Sequence, residues 1–450
     1  MNKPRIVISC PFDTYSGYGA RARDVVKAII ELDKYNVELL SQRWGDTSWG
    51  FCKDHPEWNF LVNHLAKPNW QQTKPDVWMQ ITIPNEFQPV GKYNIGLTAG
   101  IEATACKPEW VEGMNRMDMN WVSSDFTKTN FENMIFEKKD PRTQVIVGKV
   151  KLEKPIYTIF EGVNLDTYKN ISPKEINTID FKDIPEQFCF LFVGHWMQGD
   201  LGHDRKNVGL LVKLFYETFK DKRGPKPALI LKTTTGVSSY ISRDRILEKV
   251  RSVKKTVNSS NLPNAYIVHG EFEDSEVNEL YNHPKVKAMV SLTKGEGFGR
   301  PLLEFGLTGK PIIATGWSGH MDFLNPEYNS LLPGSLEHVH PSAANDWLVK
   351  EAKWFKVSEP HVGTTLKNVH KHYKKFLERS RKQKHFVKTN FSWENMKDLI
   401  DTNLEENLPE FAEQVELKLP DLNLPQLKKV DKKPKLDLPM LQKNPNIGKN

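Results

Sequence analysis

The stretch that decides the fold is KGEGFGRPLLEFGLTGKPIIATGWSGHMDF, residues 294–323. It follows the apolar run Ala288–Leu292, which has the length of a buried strand. Gly295, Gly297 and Gly299 alternate through the loop after that run, and residues without a Cβ allow the loop backbone to approach a ligand closely. The pattern predicts a strand, a glycine loop at its carboxyl end and then a helix.

The helix is predicted to begin near Pro301. N–H groups in the first turn of a helix have no partner within the helix, so proline, which has no N–H, loses nothing there. The remaining free N–H groups at such a helix start favour a phosphate. Glu296 in the loop and Glu304 in the helix add carboxylates that can accept hydrogen bonds from sugar hydroxyls. The alternative is a loop whose glutamate only caps the helix, and the glycines, the proline and the following PIIATG strand argue against it.

Short apolar runs alternate with helical patterns over most of the chain, which is typical of parallel sheets covered by helices on both faces. The predicted strands are Arg5–Cys10, Val37–Leu40, Val77–Ile83, Ile95–Ala99, Asn120–Ser123 and Tyr157–Phe160, then Cys189–Val193, Leu229–Lys232, Tyr266–His269, Ala288–Leu292 and Ile312–Thr315. The predicted helices include Ala20–Leu32, Val208–Lys220, Arg245–Lys254, Pro301–Thr308, Leu366–Ser380 and Trp393–Leu404. The predicted fold class is therefore α/β, with two doubly wound Rossmann-like domains.

The two series of strands suggest five segments. Residues 1–170 are predicted to form the first domain, a polar linker spans 171–187, and residues 188–365 form the second domain. Two C-terminal helices occupy 366–408, and the proline- and lysine-rich remainder, 409–450, is predicted to be disordered. That tail repeats the hexamer L-x-L-P-x-L three times, which low complexity or a docking motif for a protein partner could each produce.

The composition fits a globular protein with real cores, since 38% of the 450 residues are hydrophobic and 26% are charged. This balance excludes collagen, a coiled coil and a wholly disordered chain. No apolar run approaches the length that spans a bilayer. The four cysteines, Cys10, Cys52, Cys106 and Cys189, have no paired spacing, so neither a zinc site nor a disulfide framework is indicated, and a cytoplasmic location is expected.

The net charge of +7 is concentrated in one segment. Residues 367–388 contain nine Lys or Arg and one acid, Glu378. Such a segment indicates either an anionic partner, such as DNA or another anionic surface, or a merely solvated helix face.

The stretch GEGFGRPLLEFGLTGKPIIAT resembles the donor-site motif of glycosyltransferase family 4, whose members are retaining enzymes that use nucleotide sugars. Further matches are SGYGARARDVVKAI near the start, NWVSSDFTK at 120–128, EGVNLDTY at 161–168, DRKNVGLLVKLF at 204–215 and NFSWENM at 390–396. The resemblance covers roughly residues 4–405. It implies the GT-B architecture, in which two Rossmann-like domains face each other and the final helices cross back to the first.

The resemblance also implies roles for individual residues. Glu296 would hold hydroxyls of the transferred sugar, and Glu304 would hold the ribose hydroxyls. Arg205 or Lys206 would neutralise the diphosphate as it leaves, and fixed cations do stabilise charge that develops on phosphate oxygen. Such a site needs no metal and no further cofactor. The other implied donor-binding residues are Gly297, Phe298 and Gly299 through their backbone, with Gly17, Gly19, His195 and Lys232 at neighbouring strand ends.

The chain departs from the family in two places. His195 stands where many members have an arginine, so the cation that faces the phosphate is left open between Arg205 and Lys206. The region GLTAGIEAT, residues 96–104, lacks the histidine that many members have near the reacting sugar. Glu102 in that region could contact the donor, contact the acceptor or cap the following turn, and it is counted among the candidate catalytic residues.

The first glycine loop also matches G-x-G-x-x-A, from Gly17 to Ala22, and could suggest a dinucleotide-binding fold. That fingerprint needs a tight turn directly after the strand and an acid at the end of the second strand. Here Gly17 comes well after Cys10, and the second strand ends Leu40-Ser41-Gln42. A glycine loop that approaches the cleft fits the sequence better than an oxidoreductase.

Two hypotheses of function remain. The first is a retaining glycosyltransferase whose acceptor is a saccharide or glycoconjugate, or alternatively a hydroxylated base in DNA. The second is a non-catalytic nucleotide-sugar-binding protein that recruits partners through its tail.

Overall fold

The computed structural model describes residues 3–140, 142–236 and 238–411. Its strands are β1 Arg5–Cys10, β2 Asn36–Ser41, β3 Val77–Ile81, β4 Tyr93–Thr98, β5 Met119–Val122, β6 Ile135–Lys139, β7 Ile146–Lys151, β8 Ile156–Thr158, β9 Cys189–Val193, β10 Ala228–Lys232, β11 Ala265–Val268, β12 Val286–Ser291, β13 Ile312–Thr315, β14 Ser330–Leu332, β15 Gly334–His338 and β16 Lys353–Val357. Its helices are α1 Gly17–Glu31, α2 Phe51–Asp54, α3 Pro108–Asn115, α4 Asp125–Asn133, α5 Val208–Phe219, α6 Tyr240–Lys255, α7 Asp274–Asn282, α8 Arg300–Gly306, α9 Glu359–Lys371, α10 Tyr373–Asn390 and α11 Trp393–Asn407.

Two parallel sheets organise the described residues. The N-terminal sheet has the order β2-β1-β3-β4-β5-β8 and the C-terminal sheet the order β11-β10-β9-β12-β13-β14. The second order is the 3-2-1-4-5-6 arrangement of doubly wound nucleotide-binding domains, in which the winding reverses between the first and fourth strands. The predicted α/β class with two Rossmann-like halves is confirmed.

Continuous apolar strands build each core, as expected for sheets that are covered on both faces. In β9, for example, Cys189, Phe190, Leu191 and Phe192 are all buried, and α5 covers one face of them with Leu211 and Phe215 among others. The segment predicted as a polar linker contributes Phe181 and Ile184 to the C-terminal core, so that stretch is anchored there.

The final helix crosses back to the N-terminal half, as the family resemblance implies. Ser392 caps α11 by accepting a hydrogen bond from the Asn395 N–H at 3.1 Å. The buried side chains Met396, Ile400 and Leu404 then join the core around β1 and α1. On the same helix, Asn403 accepts a hydrogen bond from the Trp121 indole at 2.7 Å.

Several sequence expectations are wrong in detail. The single helix predicted at Leu366–Ser380 is two helices, because the chain turns at His372, where φ is −116° and ψ is 34°. The hairpins β6–β7 and β15–β16 and the strand β14 were not predicted. Residue Phe411, assigned to the tail, is half-buried against the N-terminal core. The three L-x-L-P-x-L repeats and the predicted disorder of 412–450 lie outside the described residues.

Within the part of the chain that the structure covers, no helix is both long enough and apolar enough to cross a membrane.

Candidate functional site

The candidate site lies at the carboxyl ends of β9 and β12, where the winding of the C-terminal sheet reverses. Ligands of doubly wound sheets bind in the crevice at this point. The loop after β9 runs on to Arg205 and Lys206, and the loop after β12 carries Glu296. The two loops are joined by a hydrogen bond of 2.7 Å from the Lys294 N–H to the Arg205 carbonyl.

Glu296 is the centre of the site. Its carboxylate accepts hydrogen bonds from the Lys206 ammonium at 2.6 and 2.7 Å and from the Arg205 guanidinium at 3.3 Å. Burial alone would raise the pKa of Glu296, but Lys206 and Arg205 outweigh burial and lower it to about 2. The carboxylate is therefore ionised at neutral pH.

Arg205 connects this carboxylate to the N-terminal half. One of its nitrogens lies 3.1 Å from a Glu102 oxygen, and another donates to the Gly295 carbonyl at 3.0 Å. The structure therefore brings together the four residues predicted to be catalytic, Glu102, Arg205, Lys206 and Glu296. For Glu102 it shows an ion pair with Arg205.

The space beside two glycines of the loop is filled by other parts of the protein. A Cβ at Gly295 would collide with the Glu102 carbonyl, and one at Gly297 would lie 2.5 Å from the Ala99 carbonyl. The Ser124 hydroxyl also donates to the Gly297 carbonyl at 2.6 Å. These two glycines thus admit the N-terminal loop 99–102, and the approach of a ligand to their backbone stays a prediction.

Gly299 is required for a different reason. Its φ is +103°, a conformation that residues with a Cβ rarely adopt, and it is the residue from which α8 begins. The side chain between these glycines, Phe298, is buried and packs against Phe323 at 5.0 Å between ring centroids. The Phe298 side chain therefore belongs to the core, and the contact of its backbone with the donor stays a prediction.

Glu304 is buried one turn into α8, away from the Lys206 pair. It accepts hydrogen bonds from Arg300 at 2.9 Å and from the Tyr281 hydroxyl at 3.1 Å. Burial raises the pKa of Glu304 to about 7, even though Arg300 opposes the shift.

The other predicted donor-binding residues lie around this crevice. The His195 ring bonds the Thr234 hydroxyl at 2.8 Å, and burial together with Lys206 and Arg205 lowers its pKa to about 4, so it is neutral. Lys232, at the end of β10, donates to the Gly270 carbonyl at 2.6 Å and lies over the Phe272 ring. Gly17 opens α1 with free space around it, whereas a Cβ at Gly19 would collide with Thr14.

Sequence reasoning missed four residues that shape the site. Ser318 has a φ of +82° and accepts the Glu296 N–H at 3.0 Å, so it fixes the loop at the central carboxylate. His320 is fully buried and bonds the Thr315 carbonyl at 2.6 Å. Both lie within the stretch 294–323, and this location was the only feature of the sequence that pointed to them. Arg300 and Asp24 form an ion pair at 2.6 Å between the two halves, and no local pattern joins positions so far apart.

A sequence profile described as Glycosyl transferases group 1 matches residues 204–344, a segment that contains Arg205, Lys206, Glu296 and Glu304. Comparison with curated protein sequences gives no significant match.

Solved structures resemble the whole described fold. Sucrose-phosphate synthase from Thermosynechococcus elongatus is similar with a TM-score of 0.59 at 12% identity, over 90% of this chain and 99% of that one. Anabaena HepE in complex with UDP and glucose gives 0.57 at 12%, over 90% and 100%. A glycosyltransferase from Rickettsia africae gives 0.57 at 15%, over 90% and 98%. The fold is therefore GT-B, and the profile match within it supports a glycosyltransferase.

Proposed function

We propose that this chain is a retaining glycosyltransferase of the family 4 type, which moves a hexose from a nucleotide-diphosphate sugar to a hydroxyl acceptor. The observation that carries the proposal is the cluster of Arg205, Lys206 and Glu296 at the reversal point of the C-terminal sheet, inside the segment that matches the group 1 profile. Retention rests on the resemblance of the 294–323 stretch to that family.

The charges of the cluster suit this chemistry. When the bond between the anomeric carbon and the diphosphate oxygen breaks, its electron pair stays on the phosphate, and preorganised cations stabilise that charge. Lys206 and Arg205 are held in place for this by Glu296, and Arg205 additionally by Glu102. Donor phosphates that share Lys206 would leave oxygens of Glu296 free to accept hydrogen bonds from the sugar hydroxyls.

The experiment is donor turnover by the pure protein. UDP-glucose is the first donor to test, since HepE was solved with it, followed by other nucleotide sugars. We expect release of the nucleotide diphosphate from one donor of the panel, and a product whose anomeric configuration, read by NMR, equals that of the donor. Inversion would overturn retention, and added chelator should leave the rate unchanged because the proposed mechanism uses no metal.

The first candidate for the acceptor is a saccharide or glycoconjugate, which is the usual choice in the family that the sequence resembles. The second is a hydroxylated base in DNA, and one surface favours it. In α9 and α10, Lys371, Lys374, Lys375, Arg381 and Lys382 are exposed, and none of them pairs with a carboxylate within the described ranges.

This basic surface lies at the amino-terminal ends of the strands of the C-terminal sheet. In α10, Arg379 donates to the Glu327 and Asn329 carbonyls just before β14, and Lys384 lies beside Gly309 just before β13. The cluster of Arg205, Lys206 and Glu296 lies at the carboxyl ends of the strands, and a strand of five residues is about 17 Å long. DNA bound there must therefore extend around the C-terminal half before a base can reach the cleft.

The DNA hypothesis is tested by titrating the protein with duplex DNA at low and moderate salt. Binding that falls steeply with salt is expected, because each neutralised phosphate releases counterions. Reversal of Lys374, Lys375, Arg381 and Lys382 to Glu should abolish it. No binding at low salt removes DNA as the acceptor, and labelled sugar must appear on hydroxylated DNA before transfer is established.

A non-catalytic nucleotide-sugar-binding protein is the alternative to an enzyme. It predicts donor binding without hydrolysis, whereas the intact cluster around Glu296 favours turnover. A cytoplasmic location is part of our proposal and is supported by the four cysteines, all of which are buried and unpaired.

A further inference from the structure

Arg300 joins two carboxylates that belong to different halves of the molecule. Its Nε donates to Glu304 in the same helix at 2.9 Å, and its Nη1 donates to Asp24 of α1 at 2.6 Å. A guanidinium presents several donors in a rigid plane, so one side chain can fix both acceptors at once. The position of Glu304 therefore depends on a contact with the N-terminal half.

Asp24 is itself held firmly. Its side chain is 12% exposed, and its backbone carbonyl accepts a hydrogen bond from the Trp393 indole at 3.3 Å. Trp393 is the first residue of α11, the helix that crosses back from the C-terminal half. Asp24 also lies in α1, whose first turn contains Gly17 and Gly19, the two glycines predicted to bind the donor. Asp24 is thus a fixed point to which Arg300 can be anchored.

Glu304 retains capacity for a ligand. Its two oxygens each accept one hydrogen bond from the protein, from Arg300 and from Tyr281, and a carboxylate has about four acceptor positions. An ionised Glu304 could therefore still accept both hydroxyls of a ribose. Without a cation beside it, a carboxyl buried to this degree would be neutral and would lose part of that capacity.

We infer that Arg300 is a positioning residue: anchored by Asp24 of the N-terminal half, it holds Glu304 in the orientation that binds the nucleotide ribose. The inference rests on the proposed function, because it takes Glu304 to be the ribose contact. It makes donor affinity depend on the contact between the two halves, through Arg300.

The test measures the Kd for UDP by calorimetry, and the KM and kcat for donor turnover, in Asp24→Asn. This variant keeps the Arg300–Glu304 pair and removes the negative charge of the anchor. We expect Kd and KM to rise at least about tenfold, the order expected for a lost charged hydrogen bond, while kcat changes much less. The matched control is Asp346→Asn, which breaks the exposed ion pair Lys107–Asp346 between the halves, 2.6 Å long, without touching Glu304.

A double-mutant cycle separates positioning from general stability. If Asp24 acts through Glu304, the double variant Asp24→Asn/Glu304→Gln binds UDP no more weakly than Glu304→Gln alone. A purely structural role would make the two losses additive. Arg300→Lys provides a second test that does not depend on the folding of the Asp24 variant: a lysine cannot hold both acceptors in one plane, so it should also raise KM more than it lowers kcat.

The outcomes are distinct. Asp24→Asn and Arg300→Lys with the UDP affinity of the native protein, or an additive cycle, overturn the inference and leave the proposed function standing. A native protein that binds neither UDP nor any other nucleotide diphosphate overturns both.

Discussion

Two adjacent cations, Arg205 and Lys206, are held in different ways at the residue scale. Lys206 bonds both oxygens of Glu296, whereas Arg205 is shared between Glu296 and Glu102. The bonds to Glu296 hold the Lys206 ammonium at one place in the crevice, ready to stabilise charge on the leaving phosphate. Lys206→Ala should therefore lower the rate of donor turnover by about 10²-fold or more. Arg205→Ala should change that rate by a clearly different factor, because it also removes the contact to Glu102 in the N-terminal half. Equal and mild effects in single-turnover measurements would show that neither cation faces the leaving phosphate.

Glu304 gives the site a dependence on pH. Its pKa is raised to about 7 by burial, so the carboxyl is neutral below that pH and ionised above it. Since the ionised form accepts more hydrogen bonds from ribose, KM for the donor should fall as the pH rises from 6 to 8. The neighbouring Glu296 and His195, with pKa values of about 2 and about 4, keep their charge states over this range.

The control for this prediction is Glu304→Gln, which cannot ionise. Its KM should be high and nearly independent of pH between 6 and 8. A pH profile that the substitution leaves unchanged would assign the titration to another group, and Asp322, whose pKa burial raises to about 6, would be examined next.

The residues of the central cluster could be found from the sequence, but their partners could not. The glycine loop pointed to Glu296, and the resemblance to glycosyltransferase family 4 implied Arg205 and Lys206. The pair Asp24–Arg300 spans 276 positions, and no periodicity or motif links residues so far apart. The sequence also could not tell that Gly295 and Gly297 accommodate the loop 99–102, because the absence of a Cβ does not indicate what takes its place.

Strands buried on both faces were the most predictable elements. Three predicted strands, β1, β9 and β13, have the predicted bounds, because an uninterrupted apolar run marks both ends of such a strand. The hairpin β6–β7 escaped prediction because its side chains are mostly exposed and include several lysines, and its apolar run, residues 145–147, is only three residues long. The turn at His372 was missed because helical pattern continues on both sides of it.

The helix α11 should carry much of the stability of the N-terminal half. Leu404 is fully buried among residues of that core, although it lies 33 positions after the end of α9, a helix of the C-terminal half. Leu404→Ala should therefore lower the free energy of unfolding by about 2–5 kcal/mol, the cost of a large buried cavity. Urea unfolding measures this, with exposed Glu405→Ala on the same helix as the control. A loss within error of that control would contradict the packing of α11.

At the scale of the whole molecule, the two halves meet around the glycine loop after β12. Besides Asp24–Arg300 and Glu102–Arg205, the Asp125 N–H donates to Asp322 at 2.8 Å across the boundary. A methyl group at Gly297 would lie 2.5 Å from the Ala99 carbonyl. Gly297→Ala should therefore weaken this contact and increase hydrogen exchange at amides 99–104, while α11 keeps its protection.

That exchange pattern follows from the separate cores of the halves, since only the loop contact is disturbed. Donor turnover should fall in the same variant, because Glu102 would no longer be held near Arg205. Unchanged exchange at 99–104 would show that the loop contact does not hold the halves together in solution.

The measurement that tests the central claim most directly is release of nucleotide diphosphate from a panel of nucleotide sugars, UDP-glucose first, by the native protein and by Glu296→Ala. Our account predicts that the native protein turns over one donor and that Glu296→Ala, although folded by its melting temperature, has no transfer activity, because the carboxylate at the centre of the cluster is gone. Turnover by Glu296→Ala at the native rate, or a native protein that turns over no nucleotide sugar, would contradict it.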